Sequence, residues 1–150
     1  MKSLSNDRDR NEVLERLAKV RPDSHALWGK MSAPQMICHL SDSFRGALGE
    51  KYISPSTSLF NRVVIKNIAL WVPLKWPHGR ETRPEIDQKL GGTPPAGFAS
   101  DVEGLRILVK RFSAHEGEFT PHAFFGQMSK SERSRHAYLH MDHHLRQFGA

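Results

Sequence analysis

Apolar residues recur along this chain at the three- and four-residue spacing of helices, and most of the runs open on a polar cap. The first predicts a helix from about Arg10 to Val20, with Val13, Leu14, Leu17 and Ala18 on one face, Asp9 and Glu12 as a capping pair, and Pro22 as its stop. A second opens at Ser32, where Ser32-x-x-Gln35 reads as a capping box and Pro34 sits in the tolerant first turn. Its stripe is Met36, Ile37, Leu40, Phe44, Ala47 and Leu48, and it stops near Gly49. A third segment, Leu59 to Trp71, is apolar on most sides and is expected in the core. A fourth starts at Ser100, with Glu103 as its cap partner, and carries Val102, Leu105, Ile107, Leu108, Val109 and Phe112. The last starts at the Ser129-x-x-Glu132 box and runs to Gln147, with Gly149 just past its end. No alternating strand pattern and no internal repeat stands out. The expected fold is all-α: one domain over residues 1–150, a four-helix bundle in which the short first helix is either an extra or one of the four.

The helical pattern lapses between Pro73 and Ala99, where five of the nine prolines and four of the eleven glycines fall. Structureless loops longer than about 12–15 residues are lids, binding segments or disordered. This stretch reads as a connection across the end of the bundle or as a lid, with Trp76, His78, Arg80, Arg83 and Phe98 as substrate contacts.

Composition narrows the class. A chain of 150 residues can bury a core without staples, and its single cysteine, Cys38, rules out an intrachain disulfide and fits a reducing compartment. The N-terminus has no apolar leader, and Arg62, Lys66 and Pro73 break up the most apolar stretch, Phe60 to Trp76, which is too short for a bilayer core of about 30 Å. The expectation is a soluble, cytoplasmic protein with no membrane partner. The net charge of +6 is spread along the chain among sixteen acidic residues, which reads as a solvated surface rather than a nucleic-acid face.

Chemistry concentrates at the C-terminal end, where His136, His140, His143 and His144 fall within nine positions. At about 100° per residue, His144 lies about 40° from His140 and both border the apolar stripe, while His136 and His143 lean toward the other flank. Two buried imidazoles need partners, and a divalent metal satisfies both. A third ligand has to come from elsewhere. His39, beside the stripe of the second helix, is the best placed; His25, His78, His115 and His122 lie in loops or near helix ends. Three neutral histidines leave a coordination position open for water or substrate. Asp42, three residues after His39, is a candidate to orient it. The competing reading is a solvated histidine face with no metal. No glycine-rich phosphate loop, nucleophile elbow or Cys-x-x-Cys pair is present.

The segments WGKMSAPQMICHLSDSFRGALG, PHAFFGQMSKSE and HMDHHLRQFG together resemble the DinB-like superfamily, in its branch catalogued only as a domain of unknown function, family 1569. The resemblance runs from about Trp28 to the C-terminus. It implies a four-helix bundle, a homodimer, and a three-histidine metal site whose positions match His39, His140 and His144. Superfamily relatives include metal-dependent transferases acting on low-molecular-weight thiols, and others presumed to be hydrolases. One departure is the order of Pro121 and His122, which the branch tends to reverse.

Three functions compete on these grounds. The first is a metal-dependent enzyme in which zinc, nickel or iron on His39, His140 and His144 activates water or a thiol of a small-molecule substrate, with Asp42, His143 and Gln147 as orienting residues. The second is a non-catalytic helical binding or dimerisation module. The third is nucleic-acid association through the positive charge.

Overall fold

Two of the three predicted serine caps form in the computed structural model, which describes residues 1–79 and 82–150. Ser32 accepts from the Gln35 amide while the Gln35 side chain accepts from the Ser32 amide, and Ser129 and Glu132 repeat this at the last helix. Among the described residues five α-helices result: α1 (Asp7–Leu17), α2 (Ala33–Ala47), α3 (Lys66–Trp71), α4 (Phe98–Ala114) and α5 (Lys130–Gln147). A π-helical turn, Asn61–Ile65, leads into α3, and a 3-10 turn, Pro84–Ile86, interrupts the segment between α3 and α4. No strand forms among the described residues; the one β-type pairing is an isolated bridge between His122 and Gly126. Among the described residues no helix is long and apolar enough to cross a membrane.

The boundaries depart from the sequence pattern where a different cap wins. Helix α1 starts three residues earlier than expected because Asn6 accepts from the Asp9 amide, leaving the Asp9 carboxylate to accept from the Ser3 amide. It also ends earlier, at Leu17, and tight turns carry the chain on to Val20. Helix α4 starts at Phe98, with Gly97 at its cap position; the Ser100 hydroxyl donates to the Gly97 carbonyl instead of capping, and Asp101 accepts from the Ala96 and Gly97 amides.

The main core joins Val13, Leu14 and Leu17 of α1, Met36, Ile37, Leu40 and Phe44 of α2, Leu105, Leu108, Val109 and Phe112 of α4, and Ala137, Tyr138, Met141 and Leu145 of α5. Ile107, expected in the α4 stripe, faces out at 49% exposure.

The larger correction concerns 59–71, expected to be buried. Leu70 is its one buried residue, packed with Phe125 and Met128, whereas Leu59, Phe60, Val63, Val64, Ile68 and Trp71 are exposed. Helix α3 packs on α5, and the side that carries Leu70 is the one that finds a surface to cover.

Candidate metal centre

His39 lies in the middle of α2, and His140 and His144 lie one turn apart on α5, which packs against it. The Nε2 atoms of His39 and His144 are each 3.2 Å from Nε2 of His140. One ring nitrogen from each of the three lies within 4.8 Å of the others, a set that could hold a metal ion. His39 and His144 are buried and His140 is half-buried.

The outer nitrogens decide where the protons sit. His39 Nδ1 lies 3.0 Å from the Ile86 carbonyl, which can only accept, so this nitrogen carries the hydrogen. His144 Nδ1 lies 2.8 Å from Gln147 Oε1. The Gln147 amide nitrogen donates to the Trp28 carbonyl at 2.7 Å, which turns its oxygen toward His144 and fixes the hydrogen on that Nδ1 as well. Burial pushes all three imidazoles below their ordinary range, and the neighbouring rings push His140 and His144 further down. With the rings neutral, Nε2 of His39 and of His144 are bare lone pairs. At most one proton, on His140, is then available for two contacts of 3.2 Å. A cation resolves this conflict. Two nitrogens held tetrahedrally at the usual zinc–imidazole distance are about 3.3 Å apart, which matches the two 3.2 Å separations to His140.

The other anticipated residues are placed differently. Asp42 does not reach His39. Its fully buried carboxylate accepts from the Thr93 amide at 2.7 Å, the Thr93 hydroxyl at 2.6 Å, Lys51 at 2.9 Å and Arg45 at 3.3 Å. Burial works to raise its pKa, but the bonds from Thr93 and Lys51 outweigh burial and hold it below the usual range. Asp42 thus pins the segment that carries Ile86 to α2, while the Ile86 carbonyl orients His39. His143 meets His144 and Trp28 edge-on, and its buried Nδ1 has no partner among the described residues. His136, expected toward the rim, packs against His122 at 4.4 Å between ring centres and 5.9 Å from the His140 ring.

The histidines open into a cavity of about 1160 Å³. Trp76 closes one side and packs near His136, His140 and His143, its indole nitrogen donating to the Ala69 carbonyl at 3.0 Å. Of the other loop residues named from sequence, Arg83 lines this cavity, His78 stacks on Trp28 at 4.1 Å, Phe98 packs on the core, and Arg80 lies outside the described residues. Cys38, beside His39 in sequence, is buried away from the trio's hydrogen bonds, and burial pushes its thiol up to about 11.

Sequence reasoning missed Ile86, Trp28 and Gly29. The first two act through backbone carbonyls, which leave no side-chain signal. Gly29 has φ +81°, and a Cβ there would lie 2.6 Å from Gln147 Nε2, so the amide bridge needs a residue without one.

The model of a family described as proteins of unknown function (DUF1569) matches residues 2–150, so the chain belongs to that family. No curated protein and no solved structure matches the chain.

Proposed function

We propose that this family member is a metal-dependent enzyme of the DinB-like type, its divalent ion held by His39, His140 and His144. The observation that carries this reading is the convergence of three imidazole Nε2 atoms, two of them left bare by acceptors on the opposite side of the ring. The DinB-like bundle architecture and its histidine trio, implied by the sequence resemblance, belong to the same reading. So does a pairing of two copies, for which the exposed apolar side of 59–71 offers a surface.

Bound there, zinc, nickel or iron would supply Lewis acidity, lowering the pKa of a water or thiol enough to give a nucleophile at neutral pH. The protein's own part is positional. The Ile86 carbonyl and Gln147 hold two rings in the productive tautomer, as partners of metal-bound histidines do elsewhere. Trp28 and Trp76 line the cavity beside the trio. The reactions in view are hydrolysis and transfer to a low-molecular-weight thiol.

Elemental analysis of untagged protein purified without nickel resin tests this. About one metal per chain in the parent, and little in His39→Ala or His140→Ala, is the expected result. A metal-free parent with unchanged stability in both variants favours the second reading, a non-catalytic helical module working through its apolar 59–71 face.

A further inference from the structure

Two helical turns before His140, on the same face of α5, Arg133 is only 6% exposed. Seven residues at about 100° each return to within about 20° of the same direction, and advance about 10 Å along the axis. Arg133 lines the same cavity as the trio. Among the described residues its guanidinium has one hydrogen-bond partner, the Met128 sulfur at 3.9 Å, and its buried Nε has none.

A guanidinium removed from water normally meets a carboxylate, because an uncompensated buried charge is costly. Here the neighbouring acid is already engaged: Glu132 receives Lys66 at 2.7 Å and caps the Ser129 amide at 2.8 Å. Among the described residues, the titratable groups that feel the Arg133 charge are His122 and His136, and burial drives both of these toward the neutral form. His122 adds a donor. Its Nδ1 accepts from the Phe124 and Phe125 amides, both at 3.2 Å, so its hydrogen is on Nε2. Among the described residues, then, a cation with no carboxylate bonded to it lines, with His122, the cavity that reaches the histidine trio.

We infer that Arg133, with His122, forms an oxyanion subsite that takes the carboxylate or phosphate of a small-molecule substrate and aims the rest of it along α5 toward the histidine trio. The planar fork of arginine suits either group, and a charge-assisted pair in so buried a place is a strong one. Burial also pulls the Arg133 pKa down to about 10, as expected for a cation taken out of water. The subsite deepens the enzymatic reading by naming its substrate class. It rests on that reading only for what happens at the far end, and can be tested with the metal removed.

The test is an NMR titration of EDTA-treated protein, separately with inorganic phosphate and with butanoate, against matched additions of chloride. The Arg133 Nε–H cross-peak is assigned by its loss in Arg133→Lys. In the parent, this peak and the backbone amides of His122 and Phe125 should shift saturably with at least one probe. A response to phosphate alone identifies a phosphorylated substrate, and a response to butanoate alone a carboxylate. In Arg133→Met the amide shifts should need about ten- to a hundredfold more probe. An Arg133 peak that moves no more than chloride moves it overturns the subsite, and so does an unchanged titration in Arg133→Met. The parent peak decides the matter even where the methionine variant does not fold. Because no metal is present, a failure here is separate from a failure to find metal in the native protein.

Discussion

Gln147 holds His144 from behind: its Oε1 lies 2.8 Å from Nδ1 while its amide nitrogen donates to the Trp28 carbonyl. The glutamine thereby has no freedom to flip, and His144 is held with Nε2 toward His140. Replacing it with leucine keeps the volume and removes the acceptor. Metal affinity, read by competition with a chromogenic chelator, should fall about ten- to a hundredfold. An unchanged affinity would mean that the amide only ties the C-terminal end of α5 to residues 27–28.

Gly29→Ala should act on the same bridge without touching a histidine. Its φ of +81° disfavours any side chain, and the new Cβ would meet Gln147 Nε2 at 2.6 Å. A loss of about 1–3 kcal/mol in urea unfolding is expected from the backbone conformation. Metal affinity should fall with it, in the manner of Gln147→Leu. Lost stability with full metal affinity would separate the turn from the site.

The pattern of these residues explains what the sequence made legible. The trio could be read because an i, i+4 pair beside an apolar stripe constrains direction, and His39 borders a second stripe that must face it. Gln147 lies three residues after His144 on the same helix and could be named with it, but Ile86 could not, since it is 47 residues from His39 and acts through its carbonyl. Arg133 looks in sequence like any charge on a helix, and only its burial, with Nε unpartnered among the described residues, sets it apart. Residues 59–71 were misplaced for the opposite reason. Apolar content signals burial only where the fold supplies a surface to cover it, and α3 meets α5 on the side of Leu70 while Ile68 and Trp71 stay exposed.

The exposed part of that segment makes its own test. Phe60 and Val63 are 61% and 56% exposed, so Phe60→Asp with Val63→Asp removes no core contact. Each change should alter the stability of a single copy by no more than about 0.5 kcal/mol. If two copies pair through this face, sedimentation velocity should show a dimer in the parent and a monomer in the double variant. A monomeric parent would remove the pairing from the proposal, and a dimeric double variant would move it to another face.

Asp42 supplies the acid-sensitive element. Its folded pKa is held below the ordinary carboxylate value near about 3.9, so the ionised form binds the folded state preferentially. The stability it contributes is therefore present in full above about pH 4 and is lost as pH falls through that value toward the folded pKa. Asp42→Asn keeps the shape but weakens the bonds to Lys51 and Thr93, at a cost of about 2 kcal/mol near neutrality. Urea midpoints of parent and variant, measured from about pH 6 down to pH 3, should converge at the acid end. Because Asp42 fixes Thr93, and through it the segment bearing Ile86, the variant should also bind metal more weakly even though Asp42 touches none of the three histidines. Curves that stay parallel at every pH would show that the carboxylate is not the group whose ionisation holds that segment.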